Sequence, residues 1–331
     1  EKDSENLLQL LRDLKGQGVT SIMISHKLKE VISIADTVTV LRDGKTICTL
    51  NAAKGEVSEN VLIKNMVGRE INNIYPPKKH TPSQEVVLEV RNWNARNPAL
   101  GRDILKDVNI KVNRGEIVGL AGLIGSGRTE LALSIFGNPA KYQVQGDLYV
   151  QGEKRSFSHP EEAIRAGLSY VSEDRKGNGL ILIQDVKQNI TLANLKELTT
   201  RLVVNNNAEI QVANKYKTDL NIKTPTVEQK VSNLSGGNQQ KVSLGKWLFA
   251  KPNILILDEP TRGIDVGAKY EIYTIMRDLV QKGLSIVMIS SELPEVLGMS
   301  DRIYIVASGK IAGELSAQEA TQEKIMHLAT N

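Results

Sequence analysis

The residues whose types and spacing suggest chemistry begin with Gly122-Leu123-Ile124-Gly125-Ser126-Gly127-Arg128-Thr129. Two glycines flanking four residues, then a cation and a hydroxyl, is the spacing of a phosphate-binding loop. Glycines let successive backbone N–H groups turn inward around phosphate oxygens, and a helix that starts at the loop adds its partial positive charge. Thr129 stands where a hydroxyl would meet Mg²⁺, and Glu130 follows it into the helix. One residue departs from the pattern, which calls for lysine at 128 where this chain has Arg128. A second stretch, residues 254–259, is an apolar run ending in Asp258 and Glu259. At the tip of a central strand, Asp258 could reach the cation beside Thr129, and Glu259 could polarise a water for attack on a γ-phosphate. A third, Leu234-Ser235-Gly236-Gly237-Asn238-Gln239-Gln240-Lys241, offers a hydroxyl and two glycine N–H groups at the start of a helix. That again suits phosphate.

These residues need strands and helices to hold them. Residues 117–121 read as an apolar strand entering the loop, and residues 130–136 as a helix leaving it. Residues 85–91 alternate like an edge strand, 104–112 form a second strand, and 147–150 and 168–171 two more. A helix lies near 161–166. Residues 185–222 are polar and helix-like, with a break at Asn205-Asn206-Asn207. Residues 241–250 and 269–281 read as helices, and 253–257 and 285–289 as buried strands. Strands alternating with helices give an α/β fold with a largely parallel sheet. Residues 72–84, centred on Tyr75-Pro76-Pro77-Lys78-Lys79, have little apolar content and read as a surface linker.

The N-terminal part reads as a helix carrying Leu7, Leu8, Leu10, Leu11 and Leu14, a strand over 19–24, a second helix over 28–34, and a hairpin of 38–41 with 45–50 turning at Asp43-Gly44. It also repeats. At a shift of 265 positions Arg12-Asp13-Leu14 matches Arg277-Asp278-Leu279, and Met23-Ile24-Ser25-His26 matches Met288-Ile289-Ser290-Ser291. Leu28, Glu30, Val31, Asp36, Gly44, Lys45 and Leu50 recur in the same frame, with no gap. Matching identities, not just matching pattern, point to duplication. Residues 1–71 are then the C-terminal part of a first copy whose phosphate loop is not in this sequence. The strand over 19–24 is expected to be loosely packed with unpaired edges.

Bulk properties exclude some classes. A formal charge of +4 on 331 residues does not argue for nucleic acid or an anionic membrane surface as partner. The single cysteine, Cys48, leaves no internal disulfide, which suits a reducing compartment. No apolar run approaches the roughly 20 residues of a membrane span and no signal peptide is visible, so membrane association would come through a partner.

Phosphate loop, Leu-Ser-Gly-Gly, and Asp258-Glu259-Pro260-Thr261 followed by Gly263-Ile264-Asp265 resemble the ATP-binding-cassette ATPase family over residues 86–315, and over 1–71 through the repeat. Glu173-Asp174-Arg175-Lys176, residues 258–268 and Ile289-Ser290-Ser291-Glu292-Leu293-Pro294-Glu295 resemble more narrowly the second cassette of the duplicated ATPases of bacterial monosaccharide importers. The resemblance implies a P-loop NTPase fold: a mainly parallel sheet, an antiparallel β-subdomain, and a helical subdomain over about 174–235 within a cassette spanning 85–331. It implies ATP and Mg²⁺ as ligands, and a pair of cassettes with ATP held between the phosphate loop of one and the Ser235-Gly236-Gly237 type of loop of the other. The pair would comprise the rest of the first cassette or a second copy of the ATPase. Membrane permease subunits and, indirectly, a periplasmic or lipoprotein solute-binding protein would be its partners, at the cytoplasmic face of the membrane.

Carried over residue by residue, the resemblance gives two unlike sites. One pairs the missing phosphate loop with Ser235, Gly236, Gly237 and Asn238, with His26 as its γ-phosphate switch. The other uses Gly122, Gly125, Ser126, Gly127, Arg128, Thr129 and Glu130, with Asp258 and Glu173 near the metal and Glu259 as the base. That second site departs three times: Arg128 for lysine, Ser291 for the switch histidine, and Glu173 for a glutamine. It is expected to bind ATP and hydrolyse it slowly or not at all, and residues 1–331 alone to show negligible turnover. Trp93 is the aromatic candidate for stacking on adenine. Residues 174–189 would face the membrane subunit. A nucleoside or other small-solute importer is the alternative in transport; a soluble twin-cassette ATPase of ribosomes or DNA repair, and a non-catalytic module, are the readings from other classes.

Overall fold

The computed structural model describes residues 2–25, 27–42, 44–67, 74–200 and 203–330. The chain divides into two compact units, Glu1–Ile74 with Ile264–Glu271, and Tyr75–Gly263 with Ile272–Asn331.

In the first unit α1 (Lys2–Gly16) and α2 (Leu28–Ile34) precede a hairpin of β1 (Thr37–Arg42) and β2 (Lys45–Asn51), followed by α3 (Glu59–Val67). Leu28, Val40, Leu62 and Ile63 make its small core. Residues 19–24, expected as a strand, form none. Ile22 is 93% and Ile24 97% exposed. An isolated apolar segment has no neighbouring strand to accept its backbone hydrogen bonds, so the pattern alone does not make it extended sheet. The tip of the hairpin turn at Asp43 lies outside the described residues.

The second unit opens with a twisted antiparallel sheet, ordered β4-β3-β6-β7, of β3 (Val86–Asn97), β4 (Arg102–Asn113), β6 (Gln143–Val150) and β7 (Glu153–Arg155). Between β4 and β6 come β5 (Ile117–Gly122) and α4 (Arg128–Ile135). The chain continues through α5 (Pro160–Arg165) and β8 (Leu168–Val171) into a helical region of α6 (Val186–Thr191), a short β9–β10 ribbon (Thr199–Thr200, Val203–Val204), α7 (Asn206–Asp219) and α8 (Gly236–Phe249). The Asn205 carboxamide caps α7, accepting from the Ala208 N–H at 3.1 Å, which explains the break read in the sequence there. Then follow β11 (Ile254–Asp258), α9 (Val266–Gln281), β12 (Ser285–Ile289), α10 (Leu293–Met299), the antiparallel pair β13 (Arg302–Ala307) and β14 (Lys310–Ser316), and α11 (Gln322–Thr330).

Six strands make the central sheet, in the order β14-β13-β5-β12-β11-β8, parallel except at β14. Every residue of β11 and β12 is buried. A parallel sheet covered on both faces needs that, and their unbroken apolar runs reflect it. The core joins Leu88, Val90, Ile110 and Leu148 of the antiparallel sheet to Val118, Leu120, Ile256 and Ile289 of the parallel one. Each such side chain contributes roughly 1.5–3 kcal/mol of burial.

The two hairpins share a register. Thr37 pairs with Asn51 and Val40 with Cys48; 265 positions on, Arg302 pairs with Ser316 and Ile305 with Gly313. Both shift register after that second pair, between Val40 and Leu41 and between Ile305 and Val306.

The segment read as a solvated linker is pinned in part. Residues 68–73 lie outside the described residues, but from Tyr75 onward the chain is held. The Tyr75 ring lies 5.3 Å from that of Tyr273 and so close to Gly298 that a Cβ there would come within 2.3 Å of it. Pro76 is buried. Lys78 Nζ and His80 Nε2 meet the buried Asp301 carboxylate at 2.6 and 3.0 Å, and the same carboxylate accepts the Ile117 N–H at 2.8 Å. Low apolar content hid this because the attachment rests on one ring, one proline and an ionic contact rather than on an apolar run.

Candidate nucleotide site

The ends of the parallel strands converge. Gly122 ends β5 opposite Val306, Ile289 ends β12 opposite both Leu120 and Asp258, and Val171 ends β8 opposite Leu257. Loops leaving the carboxyl ends of such strands are where an open α/β sheet binds ligands. The loop 122–127 springs from that edge, and its last residue, Gly127, caps α4 with a φ of 108°. A side chain at 127 would press on Leu105 and the Ile104 carbonyl, so this turn is reserved for glycine. Its Ser126 carbonyl accepts from the Gly309 N–H at 2.9 Å, tying the loop to the β13–β14 turn. Leu123 and Ile124 form its exposed crest.

The polar groups of the site are buried unevenly. Asp258 is fully buried, and its Oδ2 accepts from the Tyr170 hydroxyl at 2.9 Å. Burial raises its pKa, while the Tyr170 and Thr129 hydroxyls and the Arg128 charge pull it back. Its Oδ1 and the Ser126 hydroxyl are both buried without a hydrogen-bond partner of ordinary geometry among the described residues. A cation that brings its own phosphate and water ligands fits such a half-satisfied corner. Among the described residues no three carboxylates, histidines or cysteines cluster as a self-sufficient metal cage. Thr129 and Asp258 are therefore the residues that would hold Mg²⁺, with nucleotide oxygens completing its shell. Glu173 sits on the adjoining loop, where its carboxylate is paired with Arg262.

Glu259 follows Asp258 in a left-handed conformation, φ 48°, which is costly for a residue with a side chain and recurs at functional sites. Burial raises its pKa; the Ser291 hydroxyl, which donates to Oε2 at 3.0 Å, and the Arg128 charge lower it. Arg128 is 7% exposed and donates from Nη1 to the Ser290 carbonyl at 2.7 Å. Desolvation depresses its pKa and the carboxylates of Glu259, Asp258 and Glu130 oppose that. Arg128, Ser290, Ser291 and Glu259 thus form one contiguous polar chain.

Ser235 caps α8, and Gly236 and Gly237 begin that helix. The Ser235 hydroxyl accepts from Asn238 Nδ2 at 3.0 Å, and Asn238 Oδ1 accepts from the Lys223 N–H at 2.8 Å. Ser235 is exposed, so its loop presents itself outward. One turn from the far end of α8, Lys246 is buried, with no carboxylate paired to it among the described residues, and donates to the Gly179 carbonyl. Burial pushes its pKa down to about 8.

One sequence candidate falls elsewhere. Trp93 is a core residue, 7% exposed, whose ring N–H donates to Ser134 Oγ at 2.9 Å. It lies in the core cluster rather than open to adenine, and a strand-borne Trp reads the same in sequence either way. His26 lies outside the described residues. Two further residues touch the site: Tyr170, which stands in no spaced motif, meets Asp258, and Arg262, which lies inside the stretch 258–268 without a role assigned from sequence, meets Glu173; the pairing of β8 with β11 brings both in.

A glycine loop before a helix, flanked by a buried Asp–Glu strand end on a parallel sheet, defines a P-loop nucleotide-binding domain. Residues 105–262 match the family described as ABC transporter. The chain is 55% identical over 332 residues to the L-arabinose transport ATP-binding protein of Geobacillus stearothermophilus, covering 100% of this chain and 64% of that protein. It is 54% identical to the xylose import ATP-binding protein of Thermoanaerobacter pseudethanolicus and 43% identical to the ribose import ATP-binding protein of Bacillus subtilis, covering in both cases 100% of this chain and 65% of the relative. The chain thus spans a little under two thirds of the length of these relatives. A nucleotide-free ATP-binding cassette from an ABC transporter superposes with a TM-score of 0.61 at 21% identity, over 74% of this chain and 96% of that one. A second cassette gives 0.64 at 21% identity, over 74% and 99%. These structures establish the fold. Over residues 105–262 and through these relatives, the chain is similar to ATP-binding-cassette ATPases.

Proposed function

We propose that this chain binds and hydrolyses ATP as part of the energy-coupling subunit of a monosaccharide importer. The observation that carries the reading is the sheet register, which sets the loop 122–129, Asp258 and Glu259 on one strand edge. Thr129 and Asp258 would hold Mg²⁺, which would supply positive charge against that of the phosphates. The chain's own residues then cradle phosphate by the N–H groups of the loop, hold a water at Glu259, and offer Ser235, Gly236 and Gly237 to a nucleotide on a partner cassette. The sugar class rests on the arabinose, xylose and ribose relatives. Permease subunits at the cytoplasmic face of the membrane, with a solute-binding protein acting through them, would be the partners.

The shared hairpin register and the identities at a shift of 265 support a longer protein of two cassettes, in which residues 1–71 end the first. In it the Arg128 site is the quiet one. Arg128 is committed to the Ser290 carbonyl, and the Ser291 hydroxyl stands on the base Glu259 where an imidazole would otherwise reach the γ-phosphate. The test is nucleotide trapping after turnover in the complete two-cassette protein reconstituted with its permease. Intact ATP retained at the Arg128 loop supports the reading, and equal hydrolysis at both loops contradicts it.

A further inference from the structure

We propose that Arg262 is a positioning residue that fixes Glu173 and cancels its charge beside the phosphate loop. The inference rests on the nucleotide reading of that loop. β8 and β11 are parallel neighbours with Val171 opposite Leu257, so the loops that follow them leave the same edge of the sheet. Glu173 is two residues past the end of β8, and Asp258 and Glu259 stand at the end of β11. Three carboxylates at one edge would repel nucleotide phosphates. The turn after Glu259 returns a cation to that edge: Arg262, whose N–H donates to the Glu259 carbonyl at 3.2 Å, ion-pairs through Nη1 with Glu173 Oε1.

The pair does not stand alone. Arg175 reaches across from the Glu173 loop, donating from Nη1 to the Arg262 carbonyl at 2.7 Å and from Nη2 to the Gly263 carbonyl at 3.3 Å. The Asp174 carboxylate in turn accepts from the Lys176 and Gly177 N–H groups at 3.2 and 2.9 Å, which fixes the loop that carries Arg175. Together these residues line an open hollow of about 400 Å³. One loop supplies the acid and a backbone anchor, the other the cation and the carbonyls. The two loops are therefore tied to each other, and the side chain of Arg262 decides whether Glu173 presents a bare carboxylate to the nucleotide. An exposed ion pair of this kind is worth little for stability. Its consequence lies in local charge.

The test is titration of the full chain with a fluorescent ATP analogue, with and without Mg²⁺, for the unmodified protein, Arg262→Gln, Glu173→Gln, the double variant and Arg262→Lys. Arg262→Gln should weaken Mg²⁺-free binding about fivefold, the upper range for a surface charge pair. It should also enlarge the gain in affinity on adding Mg²⁺. Glu173→Gln in the same chain should restore both within twofold, and Arg262→Lys should retain most of the native affinity. A purely structural role would weaken binding alike with and without Mg²⁺ and would not be rescued at 173. Additive effects, or a Mg²⁺ gain that Arg262→Gln leaves unchanged, overturn the proposal. If Arg262→Gln alone fails to fold, the comparison of Glu173→Gln with the double variant decides: a further loss beyond threefold there overturns it. Saturable binding with an additive cycle refutes this inference alone; no saturable binding by the unmodified chain refutes the nucleotide reading and this inference with it.

Discussion

Replacing Gly122 by alanine should damage the phosphate loop far more than replacing Gly125, although both glycines belong to the same motif. At Gly122, with φ 156°, a Cβ would lie 2.3 Å from the Val306 carbonyl oxygen and 2.7 Å from Ser126 Oγ. The carbonyl is part of β13 and cannot rotate aside, so the end of β5 must shift. Overpacking of this kind costs about 1–3 kcal/mol and an unfavourable backbone conformation a further 1–2, or about 3 kcal/mol in sum. At Gly125, with φ 80°, nothing lies within 4 Å of the added carbon. There only the left-handed conformation counts, and part of it is offset by the lower entropy of the unfolded chain, leaving about 1 kcal/mol. At roughly 2–4 °C per kcal/mol for a domain of this size, Gly122→Ala should melt about 6–12 °C lower and Gly125→Ala about 2–4 °C lower. Scanning calorimetry on the 331-residue chain reads the stabilities, because it separates the transitions of two units. Titration with ATP reads the function: Gly122→Ala should lose saturable binding and Gly125→Ala should keep it with a modest loss. Equal losses at the two positions would refute the claim that the loop is shaped by its contact with β13.

The pH dependence should carry the mark of Lys246. Its folded pKa, about 8, is below the ordinary 10.5, so between those values the unfolded chain binds more protons and stability rises with pH. The wild type should gain about 2 kcal/mol from pH 8 to pH 10 relative to Lys246→Met, whose curve should lack that rise; parallel curves would refute the assignment. Asp301→Ala should cost about 2–4 kcal/mol, because the Ile117 N–H and the His80 ring lose a buried acceptor. Lys78→Ala should cost under about 1 kcal/mol, since that side chain is 43% exposed, and denaturant melts compare the two. Trp93→Phe should lower the melting temperature by a few degrees through the lost bond to Ser134 and leave ATP affinity unchanged, as a titration of the folded variant would show.

Much of this molecule could be read in advance because its chemistry and its sheet share one grammar. An apolar run, a tight glycine turn and a helix are local events, and Gly122 to Ile135 folded as the spacing required. The fully apolar runs 254–257 and 285–289 announced a doubly covered sheet. What escaped were relations between distant residues. The strap at Tyr75, Lys78 and His80 depends on Asp301, more than two hundred positions away, and on the space left by Gly298. Trp93 could not be told from a ligand platform, since burial of its face depends on how β3 packs over α4. Residues 19–24 have strand composition, yet a strand exists only through its neighbours; the matching run 285–289 has β5 and β11 beside it.

The central claim is that the loop 122–129 with Asp258 is a Mg·ATP site. Calorimetric titration of the full chain with ATP, with and without Mg²⁺, for the wild type and for Thr129→Val, tests it most directly. One saturable site is expected, with an affinity that rises on adding Mg²⁺, and that Mg²⁺-dependent gain should be lost when the Thr129 hydroxyl is replaced by a methyl group. Absence of saturable binding, or a Mg²⁺ gain that survives in Thr129→Val, would contradict it.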